Sequence, residues 1–385
     1  MQLALTEEQT LIQQTARQFA TRELSANAEA LDRHRGRETF LSNLKALAGL
    51  GFMGLNIAEK YGGTEAGTVA FSVSVTEIAR GCASTAVTTS VTNLAAEVIQ
   101  AIGNDEQKDC YLPKICSGEY PAASFCLTES GAGSDPAAMR TRAVRDGDDW
   151  VLNGSKIFIT SAEYAGVFLV WAVTDPEAPK GKGISTFLVD AGTSGLDIGK
   201  AEDKMGQNGS STNTVNFTDC RIPGSALLGE SEKGFKIAVG ELAGGRIGIA
   251  SLALGLGQAA MDYARNYLGE REQFGQKIGN FQGLQWMAVD RYTELEAARL
   301  LIMQAAYEKE QGLNYGTAAS MAKLFATEKA NQACYTALQM MGGVGYTREC
   351  PLERMARDAR VTTIYEGTSE IQRVIIARDL LKNIS

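Results

Sequence analysis

The chain has 385 residues, 44% hydrophobic and 21% charged, enough for two or three domains with sizeable cores. Its 37 Lys and Arg against 45 Asp and Glu leave a formal charge of −8, so no global positive field exists to hold nucleic acid or an anionic membrane. No apolar run reaches the roughly 18 residues of a membrane span, so no membrane partner is expected.

A single histidine, His34, lies in a highly charged stretch read as an exposed link between helices. Imidazole is the usual base of Ser-His and Cys-His systems and a common metal ligand, so its scarcity argues against both, and no metal is expected. If the chain is an enzyme, its base is a carboxylate and its redox chemistry comes from an organic cofactor. Seven scattered cysteines without C-x-x-C, and an acidic start without signal-peptide features, suggest reduced thiols in a cytoplasmic setting, or in an organelle matrix if a transit peptide has been removed.

In chain order, residues 1–120 read as a helical domain. Thr6 with Gln9 forms a capping-box pattern, followed by stripes at Leu11, Ile12, Thr15 and Phe19 and at Leu41, Leu44, Leu47 and Ala48. The Ser/Thr-rich segment 84–96 reads as a buried helix whose small residues leave room for a ligand. Residues 121–232 read as an antiparallel β domain, with Asn153-Gly154 as a hairpin signal and turns at 180–183 and 193–195. Residues 233–385 read as long core-facing helices, with stripes at Leu295, Ala298, Leu301, Ile302 and Ala305 and at Met321, Leu324, Phe325, Ala330, Ala333 and Cys334.

Gly49-Leu-Gly-Phe-Met-Gly and Gly255-Leu-Gly-Gln-Ala-Ala match a dinucleotide fingerprint. Both follow helical stripes rather than strands, so their glycines are read as close helix packing. Thr128-Glu-Ser-Gly-Ala-Gly-Ser-Asp135 at the mouth of the β domain lets backbone N–H groups approach an anion. In Ile364-Tyr-Glu-Gly-Thr-Ser-Glu-Ile-Gln-Arg373, Ser369 with Gln372 suggests a capping box, placing Glu366 in the loop before a helix. A carboxylate buried among such apolar neighbours would be raised in pKa, which suits a general base.

Together these motifs resemble the acyl-CoA dehydrogenase family nearly end to end. Cys126-Leu-Thr-Glu-Ser-Gly-Ala-Gly-Ser-Asp135 carries one fingerprint. Gln339-Met-Met-Gly-Gly-Val-Gly-Tyr346, Arg357-Asp-Ala-Arg360 and Tyr365-Glu-Gly-Thr368 carry the other. The resemblance implies a helical N-terminal domain, a central β domain and a C-terminal four-helix bundle, assembled as a homotetramer. It also implies FAD, and oxidation of an acyl-CoA to the trans-2-enoyl-CoA with electrons passing to an electron-transfer flavoprotein.

By the same resemblance Glu366 is the base that takes the α-proton. Some members place that base just before the arginine of the Gly245-Arg246 pair, and glycine cannot serve there. The FAD positions implied are Phe125, Leu127, Thr128, Gly133, Ser134, Phe158 and Thr160. Arg271, Gln273, Phe274, Gln282, Gln339, Gly342 and Gly343 are implied to reach the FAD of a neighbouring subunit, and Thr368 and Glu370 to complete the site. Ser134, Arg246 and Gly367 are the implied substrate contacts, and Gly131 is a further glycine expected at the cofactor. Ala243 stands where many members carry an Asp that contacts the acyl-CoA, which puts part of the carrier contact in doubt. The segments Ala79–Ala86 and Leu242–Ser251 look most like short-chain and α-methyl-branched, isobutyryl-type members. The alternative within the fold is an oxygen-using acyl-CoA oxidase or flavin monooxygenase. A DNA-associated branch needs a basic C-terminal surface, and 346–385 nearly balances in charge.

Overall fold

A computed structural model describes residues 4–34 and 36–382. The Met1–Leu3 start, Arg35 of the charged stretch around His34 and residues 383–385 lie outside the described residues. The helical beginning comprises α1 (Glu7–Phe19), α2 (Ser25–His34), α3 (Arg37–Gly49), α4 (Gly67–Gly81), α5 (Ala83–Ile102) and α6 (Asp105–Cys116). Thr6 caps α1 with the expected reciprocal pair, Gln9 N–H to Thr6 Oγ1 at 3.1 Å and Thr6 N–H to Gln9 Oε1 at 3.0 Å. The Ser/Thr-rich segment is α5, buried on almost every side, and its Thr88 hydroxyl meets Ser161 Oγ at 2.7 Å. His34 is the exposed last residue of α2.

The β region runs from β1 (Ala122–Cys126) through β2 (Arg142–Asp146), β3 (Asp149–Thr160), β4 (Ala165–Val173), β5 (Ile184–Asp190), β6 (Leu196–Ala201), β7 (Thr212–Pro223) and β8 (Leu227–Leu228). The order is β6-β7-β3-β2-β4-β5-β8, with β1 alongside β4. The antiparallel expectation needs correcting. β1 and β2 both pair with β4 in parallel, so the sheet is mixed.

Asn153-Gly154 is not a hairpin either, because β3 runs straight through it with a bulge against β7. The turn lies earlier, at Gly147-Asp148 between β2 and β3. Gly154 instead allows close approach, since a methyl there would stand 2.5 Å from Thr141 Oγ1. Asn153 bonds both ways with Asp219 across the strands.

The C-terminal helices are α7 (Gly234–Glu270), α8 (Gln282–Glu310), α9 (Gly316–Met340), α10 (Leu352–Arg360) and α11 (Ser369–Leu381). The short hairpin β9 (Glu272–Gln273) and β10 (Gln276–Lys277) follows α7. Contrary to the sequence reading, α7 is long and apolar enough to cross a membrane, but 72% of its most apolar window is buried in the protein interior. It is the central core helix, packed on α4, α5, α8 and α9. Gly255 and Gly257 serve that packing, as methyls there would stand 2.1 Å from Thr76 O and 2.8 Å from Leu295 Cδ2. The earlier fingerprint-like run differs from expectation, since Gly51 and Gly54 fall in the turn after α3. The interior face of α9 runs through Ala319, Ala322, Lys323, Ala326 and Ala330, leaving Met321, Leu324 and Phe325 half-buried.

The loop between β6 and β7 is tied to α10. Gln207 N–H donates to Asp358 Oδ1 at 2.5 Å, and Gln207 Nε2 donates to Asp358 O and Tyr365 Oη, each at 3.1 Å. Arg357 forks onto Asp32 of α2 at 3.0 and 2.7 Å. Burial raises the Asp358 carboxyl to about 6, against its donors and Arg354. A raised carboxyl opposes folding once ionised, so its cost is absent below about pH 3.8 and complete above about pH 6. Asp358→Asn, which keeps the acceptor, gains on the native protein by about 2–3 kcal/mol between pH 4 and pH 7 in denaturant unfolding. An equal difference at both pH values contradicts this.

Candidate functional site

The two motifs form two distinct structures. In the C-terminal one, the chain leaves α10 through a short turn and takes two successive left-handed residues, Glu366 at φ +54° and Gly367 at φ +87°. A non-glycine residue in that region is strained, and such strain collects where a side chain must be aimed. Gln372 holds the turn from inside α11, its Nε2 donating to Glu366 O at 3.1 Å and Gly367 O at 2.8 Å. Lys323 Nζ donates to the same Gly367 oxygen at 2.8 Å. Thr368, not Ser369, caps α11 by accepting from Ile371 N–H at 3.3 Å, because the Ser369 hydroxyl is taken by Glu328 at 2.7 Å. The capping-box reading is corrected accordingly, and Gln372 serves the turn instead.

The Glu366 carboxylate points at Gly245 on α7, where a methyl would stand 2.7 Å from its Oε2. That oxygen is sealed from solvent and has no hydrogen-bond partner. Burial raises the carboxyl, while the charges of Arg246 and Lys323 act in the opposite direction. Among the described residues neither cation comes within 4.0 Å of it to form an ion pair. Arg246 is itself buried, its Nη1 3.4 Å from Ser320 Oγ and its Nε without a partner. Among the described residues no hydrogen bond uses the Glu366 backbone N–H. A base freed of partners, beside a free N–H donor, can take a proton from a C–H next to a carbonyl that the N–H polarises.

The first motif leaves β1 beside β3. Glu129 lies inside it, accepting from Lys156 Nζ at 2.7 Å, Thr141 N–H at 3.0 Å and Arg140 N–H at 2.6 Å. Lys156, fully buried, also donates to Leu127 O at 3.1 Å, and Ile157 N–H bonds Thr128 O at 2.9 Å. Burial lowers the Lys156 ammonium, whereas Glu129 is held low because Lys156 and the amides outweigh its burial. This ion pair fixes the loop from behind and leaves its outer side bare. Methyls at Gly131 and Gly133 would meet nothing within 4 Å, and Ser134 is exposed. Beside it β3 leaves its ladder between Lys156 and Ile159, and Phe158 turns outward at φ +57° with 61% exposure. Thr160 is half-buried, Leu127 is buried, and Phe125 packs its ring 4.1 Å from that of Trp171.

Arg271, Gln273, Phe274 and Gln282 stand exposed around the β9–β10 hairpin, Phe274 at φ +54° and 93% exposed. Gln339, Gly342 and Gly343 are exposed at the end of α9, and Glu370 on the first turn of α11. Among the described residues no hydrogen bond or ion pair joins the hairpin or the end of α9 to the first motif. Sequence reasoning missed Glu129, Lys156 and Lys323. Lys323 had a signal, a lysine four residues after Ala319 and three before Ala326 on a face of small residues, mostly alanines.

Models of the acyl-CoA dehydrogenase N-terminal, middle and C-terminal domains match residues 6–119, 124–220 and 232–381. The chain belongs to the acyl-CoA dehydrogenase family. It is 42% identical over 385 residues to a short-chain specific acyl-CoA dehydrogenase of Clostridium acetobutylicum, covering 99% of this chain and 100% of that one. Butyryl-CoA dehydrogenase of Megasphaera elsdenii superposes with a TM-score of 0.95 at 36% identity, covering 99% and 100%. A chain from work on the electron transferring flavoprotein of Acidaminococcus fermentans and flavin-based electron bifurcation superposes at 0.97, with 40% identity and all of both chains covered.

The acyl-CoA dehydrogenase chain is thus an oxidoreductase, and the family's cofactor is FAD. The first motif fits such a group. Its open glycine loop suits backbone contact with an anionic or polar edge, and the bulge presents an aromatic ring to a flat ligand.

Gly245 generates a test of the packing. Gly245→Ala costs about 1–3 kcal/mol in denaturant unfolding, through its clash with Glu366, and clearly less in a Glu366→Ala background. The same cost in both backgrounds contradicts the contact.

Proposed function

We propose that the chain catalyses FAD-dependent α,β-dehydrogenation of a short-chain or α-methyl-branched acyl-CoA, with Glu366 as the base. One observation carries this reading: a half-buried carboxylate in a left-handed turn, its Oε2 sealed from solvent and unpartnered, facing a glycine where a side chain would block it. The Glu366 carboxylate takes the α-proton, and the Glu366 N–H donates to the thioester carbonyl as enolate charge develops. Leu127, Thr128, Ser134, Phe158 and Thr160 would hold FAD, which when bound would supply the acceptor for the β-hydride. Arg246 keeps positive charge behind the base.

The short-chain reading rests on α7 and α5. One turn beyond Gly245, α7 meets α5 and α4 so closely that a methyl at Gly248 would stand 2.2 Å from Ser90 Oγ on α5 and 3.2 Å from Phe71 Cζ on α4. An acyl pocket ending at this contact would suit a chain of about butyryl or isobutyryl size, and the names of the Clostridium and Megasphaera relatives support that reading. An electron-transfer flavoprotein takes up the electrons, a reading supported by the likeness to the Acidaminococcus chain. The exposed Arg271, Phe274 and Gln339 groups, lacking partners at the first motif, suit FAD contacts made across subunits of a homotetramer.

Anaerobic titration of the yellow protein with a panel of acyl-CoAs tests the reading. Flavin bleaching is expected fastest with four-carbon chains, and about 10²–10⁴-fold slower in Glu366→Gln with FAD retained. Bleaching at the native rate in that variant removes Glu366 as base, and preference for long chains removes the short-chain reading.

A further inference from the structure

Lys323 is fully buried on the small-residue face of α9, between Ala319 and Ser320 on one side and Ala326 and Thr327 on the other. An ammonium buried there costs several kcal/mol unless it is paired and well hydrogen-bonded. Among the described residues its one hydrogen bond is the 2.8 Å contact to Gly367 O, and no carboxylate lies within 4.0 Å. Burial lowers its ammonium to about 8.

The groups around it come from every side. Glu366 and Gly367 lie on the turn, Arg246 on α7, Glu328 on its own helix and Glu370 at the start of α11. Glu328 is engaged by Ser369 at 2.7 Å, and Glu370 is exposed, so the carboxylate facing Lys323 with a sealed, unpartnered oxygen is that of Glu366. Arg246 alone gives that carboxylate charge from the α7 side; Lys323 gives it from the α9 side.

We propose that Lys323 is a positioning residue for the base. Its ammonium clamps the Gly367 carbonyl, holding the left-handed turn, and supplies positive charge to Glu366 without bonding the carboxylate. A direct salt bridge would occupy the oxygen that must receive a proton, whereas a cation bonded one residue away favours the ionised form and leaves the oxygen open. The clamp also divides labour with Gln372, which holds the Glu366 and Gly367 carbonyls but carries no charge.

This inference rests on Glu366 being the base, but its test can be read without turnover. The Glu366 carboxyl band is identified in the purified holoprotein by infrared difference against Glu366→Gln, then titrated in the native protein, Lys323→Met and Lys323→Arg. The midpoint is expected to rise by roughly one pH unit in Lys323→Met and to stay near the native value in Lys323→Arg. In the bleaching assay the acidic limb of the rate profile moves with it, leaving the rate about tenfold lower below the native midpoint. If Lys323→Met does not fold, Lys323→Gln carries the same expectation. An unmoved midpoint in a folded, uncharged variant overturns the proposal, because a purely structural lysine would scale the rate without shifting the titration. Absence of bleaching by any acyl-CoA in the native protein would instead count against the proposed reaction, leaving the infrared result to stand on its own.

Discussion

The Glu366 carboxylate keeps one oxygen sealed from solvent beside two cations that it does not touch, and much of the surrounding architecture is arranged around that condition. A carboxylate taken from water without a partner tends to hold its proton, which would disable it as a base. Two ways out exist in such an interior. A direct salt bridge ionises the group and uses up its oxygen. Charge placed a few ångströms further away ionises it less completely and leaves the oxygen free. Arg246 and Lys323 provide the second arrangement, on α7 and α9, the two helices that form the centre of the C-terminal core.

Gly245 follows from the same condition. The carboxylate occupies the space a side chain there would fill, so the position beside Arg246 cannot carry anything larger without moving the base. The left-handed pair Glu366 and Gly367 aims the side chain inward, and the carbonyl bonds from Gln372 and Lys323 oppose relaxation of that turn. The turn is tied in turn to the β domain through Tyr365 and Gln207, so the base loop and the sheet that carries the first motif share one hydrogen-bonded frame. At the other motif a buried ion pair, Lys156 with Glu129, does the anchoring, and here direct contact is suitable because neither group has to exchange a proton.

Much of this was legible in the residues. Helical periodicity before residue 120 and after 233, with β-rich runs between, reads as the helical, β, helical order of the fold, and the Tyr-Glu-Gly-Thr string singles out Glu366. What was not legible has identifiable causes. Asn-Gly is ordinarily a turn signal, but Gly154 exists to let Thr141 approach the strand, a long-range contact that local spacing does not report. The parallel pairing of β1 with β4 joins segments about 40 residues apart, which alternation along either strand cannot reveal. Ser369 and Thr368 are both good caps, and only the carboxylate of Glu328, reaching from α9, decides between them. Lys323 is not legible because the apolar stripe of Met321, Leu324 and Phe325 points to a different face of α9, while the buried face is lined by small residues, mostly alanines, that admit its stem.

The account stands or falls on whether Glu366 removes the α-proton, and that step can be isolated from the electron transfer that follows. The decisive measurement is exchange of the α-hydrogens of an acyl-CoA whose β-carbon carries no hydrogen, incubated with the holoenzyme in deuterated water and followed by NMR. The native protein is expected to exchange them, and Glu366→Gln, with its FAD and ligand binding intact, to lose exchange by about 10²–10⁴-fold. Exchange at the native rate in Glu366→Gln would contradict the account, because the proton would then have another acceptor.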